Sequence, residues 1–72
     1  MMFKVGDELV YINPTSVYAK GIFIAVDFSN PGTYKYPYPP DCFWAVRVQD
    51  NRKMIVQGRE MRLATKLEKA LK

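Results

Sequence analysis

The sequence predicts a mostly β fold: a five-stranded antiparallel small barrel followed by a short C-terminal α-helix. Short runs rich in β-branched and aromatic residues recur along the chain, and turn-forming residues separate them. The chain has 72 residues, a length that suits one small domain with a compact core. We therefore expect a single domain over residues 1–72, with the barrel at about 3–64 and the helix at about 66–72.

The first two strands are expected over residues 8–12 and 17–27. Asn13-Pro14 ends the first strand because proline has no N–H for a β ladder. Gly21 lies inside the second run, where it indicates a bulge or bend.

A loop is expected over residues 29–41, which hold four of the five prolines, and a third strand over residues 42–49. Side chains alternate between the two faces of a strand. We expect one face to be buried, and it carries Cys42, Trp44, Val46 and Val48. The opposite face, expected to be exposed, carries Phe43, Ala45 and Arg47.

Two further strands and the helix complete the chain. Asp50-Asn51 suggests a tight hairpin loop, followed by a fourth strand over residues 53–57. Gly58-Arg59 interrupts the strand pattern, and a short fifth strand is expected over residues 60–63. The alternative for this region is one helix over residues 59–72.

The C-terminal helix carries its own start signal. Thr65 and Glu68 stand three residues apart, as in a capping box, which favours a strand followed by a helix over one long helix. Leu67, Ala70 and Leu71 fall at helical spacing and are expected to pack onto the barrel.

The opening residues 3–11, Phe-Lys-Val-Gly-Asp-Glu-Leu-Val-Tyr, resemble the first strand of SH3-like small barrels, including Tudor-like and KOW-type modules. The chain also resembles the small SH3-like proteins of bacteriophages. This resemblance implies a fold that hosts many unrelated activities.

A weaker similarity links the chain to plasmid-encoded type II dihydrofolate reductases, which are tetrameric SH3-like barrels. The shared parts are Val5-Gly6-Asp7, Ala45-Val46 and Val56-Gln57. In those enzymes the Val-Gln pair continues with Ile-Tyr and lines a pore for folate and NADPH. Here Gly58-Arg59 follows, so the pore motif is interrupted.

The residue types argue against catalysis and metal binding. The chain has no histidine and one cysteine, Cys42, which excludes Cys/His zinc sites and Cys-His or Ser-His-Asp nucleophiles. The seven carboxylates are dispersed, and we expect no catalytic residue, no cofactor and no metal. Cys42 is expected to be a small buried hydrophobe.

Positive charge is concentrated in the second half of the chain. Residues 47–72 carry eight Lys or Arg against three acids, whereas the whole chain has a net charge of +4. Such an asymmetry is compatible with an acidic partner or a phosphate backbone, and equally with lysines that only solubilise a helix.

Residues 34–40, Tyr-Lys-Tyr-Pro-Tyr-Pro-Pro, are the most unusual segment. Four interpretations stand: a loop that buries its rings over the end of the barrel, a protein interface, a stacking surface for unpaired bases, and a proline-rich ligand. The candidate partner-binding residues are Tyr34, Lys35, Tyr36, Tyr38, Phe43, Arg47, Arg52, Lys53 and Arg59.

The sequence therefore favours a non-catalytic binding module with a protein partner, and nucleic-acid binding is the alternative. A reductase-like tetrameric enzyme is the remote alternative. No membrane association is expected, self-association is plausible through free strand edges, and a bacterial cytoplasm is the expected location.

Overall fold

A computed structural model describes residues 3–70, except for the side chain of Tyr18. Five strands and a short helix form along the chain, with 3-10 helices at Val17–Ala19 and Gly58–Glu60. The elements are β1 (Glu8–Tyr11), β2 (Phe23–Asp27), β3 (Cys42–Arg47), β4 (Arg52–Gln57), β5 (Met61–Leu63) and α1 (Lys66–Ala70).

The strands form one sheet in the order β4-β3-β2-β1-β5, and every neighbouring pair is antiparallel. The predictions of a mostly β fold, of five antiparallel strands and of a short C-terminal helix are thus confirmed. The register between β2 and β3 shifts between Ala25 and Asp27, which leaves Val26 as the extra residue of a bulge.

One apolar cluster lies under the sheet. Its fully buried members come from all five strands: Leu9, Phe23, Ala25, Phe43, Ala45, Val56 and Met61. The ring of Phe43 is central, because its centroid lies 4.7 Å from that of Phe28 and 6.3 Å from that of Phe3. Burial of these side chains supplies the main driving force for folding in a domain of this size.

The predicted faces of β3 are wrong. Phe43 and Ala45 are completely buried, whereas Trp44 and Val46 are only partly buried. The register explains this, because Phe43 pairs with Val56, and Ala45 pairs with Met54 and with Ala25, on the side that faces the core. Cys42 is nevertheless buried, as predicted.

The second strand begins later than predicted, at Phe23 rather than at residue 17. Gly21 adopts a φ of +95°, a left-handed conformation that breaks a β ladder and that glycine adopts readily. Residues 17–19 instead form a 3-10 helix. Ile22 joins Val10 and Ala64 in a second buried cluster.

The third strand ends at Arg47 instead of residue 49, so the hairpin to β4 has four loop residues. Within it, Asn51 has a φ of +58° and its N–H donates to the carbonyl of Arg47 at 2.7 Å. The longer loop therefore replaces the predicted two-residue turn.

The capping box of α1 is confirmed. The N–H of Thr65 donates to Oε1 of Glu68 at 2.8 Å, and the N–H of Glu68 donates to Oγ1 of Thr65 at 3.2 Å. The single-helix alternative is wrong, because Met61–Leu63 pairs with β1. The predicted docking of the helix is also wrong for Leu67, which is 70% exposed, and for Ala70, which is exposed. Leu71 lies outside the described residues.

Candidate binding surface

The segment between β2 and β3, residues 28–41, is closed on itself by the side chain of Asn30. Its Nδ2 donates to the carbonyl oxygen of Pro39 at 2.8 Å, and its Oδ1 accepts from the N–H of Gly32 at 2.7 Å. One side-chain amide thus links the two arms of the loop. The tyrosines between these arms are therefore carried by a backbone whose two ends are hydrogen-bonded together. We call residues 29–41 the tyrosine loop.

Gly32 lets the two arms approach closely. A Cβ at this position would lie 2.7 Å from the backbone nitrogen of Tyr38 and 3.4 Å from the Cα of Pro37. The distance of 2.7 Å is much shorter than an ordinary van der Waals contact, and a backbone atom cannot easily move away. The crossing of the arms therefore requires a residue without a side chain.

The tip of the tyrosine loop is a turn between Thr33 and Tyr36. The N–H of Thr33 donates to the carbonyl of Tyr36 at 3.0 Å, and the N–H of Tyr36 donates back to Oγ1 of Thr33 at 3.0 Å. Two hydrogen bonds in opposite directions fix the direction in which Tyr34 and Lys35 leave the loop.

The tyrosines of this loop are exposed. Tyr34 is 100% exposed, Tyr36 74% and Tyr38 44%. The interpretation in which these rings are buried over the end of the barrel is therefore wrong. Three large amphipathic side chains, those of the tyrosines, and Lys35 are therefore accessible on a loop that the Asn30 hydrogen bonds hold.

The base of the tyrosine loop is tied to the turn after β4. Asp41 accepts the N–H of Gly58 on its carbonyl oxygen at 3.0 Å, and the N–H of Arg59 on Oδ2 at 3.0 Å. This pairing places Arg59 beside the loop, and its side chain is exposed. Of the predicted binding residues, Tyr34, Lys35, Tyr36 and Tyr38 thus lie on the tyrosine loop, and the backbone of Arg59 lies at its base.

Two predicted binding residues are inaccessible. Phe43 is completely buried in the core, because it pairs with Val56 on the side of the sheet that faces the core. Arg47 is 5% exposed, and its Nε and Nη2 donate to the carboxylate of Asp50 in the hairpin. These hydrogen bonds lower the pKa of Asp50 to about 2. Both residues therefore act in the fold and present no binding surface.

The remaining two predicted cations, Arg52 and Lys53, lie on β4 and not on the tyrosine loop itself. Arg52 is the first residue of β4, whereas Arg59, the cation at the base of the loop, follows the last residue of β4. The length of the strand, about 17 Å, therefore separates the two arginines. Lys53 lies on the outer face, with its Nζ 5.0 Å from the centroid of the Trp44 ring, a cation–π contact. Arg52 and Arg59 therefore do not belong to one patch.

The described acidic side chains and Cys42 bear on metal binding and on thiol chemistry. Among residues 3–70 no three His, Cys, Asp or Glu side chains lie close enough to hold a metal ion. Burial raises the pKa of the Cys42 thiol, which disfavours the nucleophilic thiolate. No helix in this part of the chain is long and apolar enough to cross a membrane.

An apolar groove on another part of the molecule escaped sequence reasoning. Its volume is about 620 Å³, and it is surrounded by β1 with the residues after it, the chain before β2, the β3–β4 hairpin, β5 and α1. Its walls include Val10, Ile12, Pro14, Ile22 and Val48, with the Arg62–Glu68 ion pair at the rim. No local pattern marks such a groove, because five separate segments contribute to it.

Comparisons with known proteins return no similar molecule: no family model matches the chain, and neither a curated protein nor a solved structure does.

Proposed function

We propose that this protein is an SH3-like small barrel that acts as a non-catalytic binding module, and that its tyrosine loop contacts a protein partner. The observation that carries the proposal is the exposure of Tyr34 and Tyr36 on a loop held by the Asn30 side chain. Rings this exposed bury little apolar surface and therefore add little to the stability of the fold.

The strand order supports the SH3-like assignment. Five short strands follow one another, with a long loop between β2 and β3 and a hairpin between β3 and β4, which is the order of elements on which the resemblance rests. Val56 of one edge strand and Met61 of the other belong to the same buried cluster. That both edge strands contribute to one core supports closure into a barrel.

The physical chemistry of the tyrosine loop favours a protein partner. A tyrosine ring supplies a large contact area and has few rotatable bonds, so little entropy is lost when it is immobilised. The hydrogen bonds of Asn30 and Thr33 have already ordered the backbone, which lowers the cost of binding further. Tyrosine is accordingly enriched at interface hot spots.

The distribution of cations argues against the nucleic-acid alternative. A protein that follows a phosphate backbone needs several cations along one path. Here Arg47 is paired in the hairpin, Lys53 covers Trp44, and the length of β4 separates Arg52 from Arg59.

Affinity capture from a bacterial lysate tests the proposal, with the wild type and the double variant Tyr34→Ala/Tyr36→Ala as bait. The matched control is Leu67→Ala, which removes an equally exposed side chain from α1. We expect the wild type and the control to retain a protein that the double variant loses, with unchanged melting temperatures.

Nuclease treatment of the lysate separates the two functions. A partner that survives nuclease and depends on the tyrosines supports the proposed function. Capture that is independent of both tyrosines, or that nuclease abolishes, contradicts it.

A further inference from the structure

The tip of the tyrosine loop offers hydrogen-bond donors and a positive charge. Tyr34, Lys35 and Tyr36 are exposed there, and residues 28–40 contain no carboxylate. Lysine can only donate, and a tyrosine hydroxyl donates readily to an ionised acceptor. The loop itself therefore supplies no anionic acceptor for these groups.

The acids at the two ends of the loop accept hydrogen bonds from backbone N–H groups. Asp27 accepts the N–H of Ser29 on Oδ1 at 2.8 Å, and Asp41 accepts the N–H of Arg59. Both bonds hold these carboxylates at the base. Tyr36 lies five residues from Asp41, a separation of up to about 18 Å along an extended chain.

The charge of the whole chain has the same sign. Lysines and arginines number eleven, against seven aspartates and glutamates. The net charge is +4, so an anionic partner is attracted from a distance.

From this donor surface we infer that the tyrosine loop recognises an acidic protein segment whose Asp or Glu carboxylates accept from Lys35 and from the hydroxyls of Tyr34 and Tyr36. The inference rests on the proposed function. Acidic protein fits better than nucleic acid, because the tip carries one cation. Neutralising a single phosphate gives a salt slope near one and little affinity.

A random peptide library displayed on phage provides the test, with the full-length protein as the immobilised target. Clones that also bind Tyr34→Ala/Tyr36→Ala are removed, and the remaining peptides are sequenced and synthesised. We expect Asp and Glu to be enriched over the unselected library.

Three variants then test the contacts on the selected peptides. Lys35→Glu should weaken binding about tenfold, equivalent to one charged contact. Tyr34→Phe should weaken it about fivefold, because it keeps the ring and removes one donor. The matched control Lys20→Glu reverses an exposed lysine outside the loop and should change affinity less than about twofold.

Each failure is distinguishable. Loop-dependent peptides without acid enrichment, or binding that Lys35→Glu leaves unchanged, overturn the acidic-partner inference and leave the proposed function standing. A selection that yields no loop-dependent peptide overturns both. Binding of single-stranded oligothymidylate at physiological salt that exceeds peptide binding also overturns the inference and replaces it with nucleic-acid recognition.

Discussion

The side chain of Asn30 donates to the carbonyl oxygen of Pro39 across nine positions of the sequence, at 2.8 Å. This bond joins the arms of the tyrosine loop just before β3 begins. Because the same amide also accepts from Gly32, a single residue determines how the loop leaves the sheet. The position of the exposed tyrosines therefore depends on a side-chain hydrogen bond outside the regular strands.

Asn30→Ala should loosen the tyrosine loop and leave the sheet intact. An intramolecular hydrogen bond contributes about 1 kcal/mol, and both Asn30 bonds lie outside the core. We expect faster amide hydrogen exchange at Gly32 and Tyr36, weaker partner binding and a small decrease in melting temperature. Asn30→Asp keeps the acceptor for Gly32 and loses the donor to Pro39, so its effect on exchange should be intermediate. Unaltered exchange in both variants would show that Asn30 does not hold the loop.

Phe43→Ala should destabilise the domain far more than Trp44→Ala, although the residues are neighbours. Removing a fully buried Phe costs about 3–5 kcal/mol, enough to unfold a small domain. Trp44 is only partly buried on the outer face, and we expect a cost of about 1–2 kcal/mol. Urea unfolding followed by circular dichroism measures both. Phe43→Leu, a milder change, keeps the comparison possible if Phe43→Ala does not fold. A larger loss of stability in Trp44→Ala than in Phe43→Ala would support the sequence prediction that Trp44 is on the buried face of β3.

The sequence predicted the strands better than it predicted their faces. Runs of β-branched and aromatic residues, turn residues and a capping box are local signals, and all five strands and α1 follow from them. In β3 both alternating sets are largely apolar, so alternation alone cannot show which set faces the core. Arg47 appeared to mark the exposed set, but its guanidinium is satisfied by Asp50, a contact that depends on the hairpin geometry.

The candidate binding surface was predictable only in part. Proline and tyrosine at alternate positions drew attention to residues 34–40, and the structure shows these tyrosines exposed. The bonds of Asn30 and the proximity of Arg59 to the loop arise from tertiary contacts with no sequence signature. For the same reason the groove beside Val10 and Ile12 was missed.

The Arg47–Asp50 pair should make stability depend on pH in the acid range. The pKa of Asp50 falls from its ordinary 3.8 to about 2, chiefly through the hydrogen bond from Arg47. A lowered carboxyl pKa stabilises the fold above the unfolded-state pKa, and this stabilisation disappears as the pH falls through about 2. The difference in unfolding free energy between the wild type and Asp50→Asn should therefore stay constant near neutrality and shrink from about pH 4 downward.

The double variant Arg47→Met/Asp50→Asn isolates the pair. If the hydrogen bond is responsible, Asp50→Asn should change stability much less in the Arg47→Met background than in the wild type. Equal effects in both backgrounds would mean that Asp50 stabilises the hairpin by another contact, for example through the N–H of Arg52. Urea unfolding at a series of pH values provides the data.

The helix α1 should contribute little to the stability of the sheet. Leu67→Ala removes a side chain that is 70% exposed, and substitutions of this kind change the unfolding free energy by no more than about 0.5 kcal/mol. Leu9→Ala, at a fully buried position, should cost about 2–5 kcal/mol and serves as the contrast.

Glu68 should hold α1 in place instead. Its carboxylate accepts from the N–H of Thr65 and from both terminal nitrogens of Arg62, at 2.8 and 2.9 Å for the latter. Glu68→Gln keeps the size of the side chain and weakens these bonds, so carbonyl and Cα chemical shifts of residues 66–70 should move toward random-coil values while those of β1 and β5 stay constant. If Leu67→Ala instead lowers the melting temperature as Leu9→Ala does, the helix is docked through its apolar side. In that case the Arg62–Glu68 pair is a consequence of the docking rather than its cause.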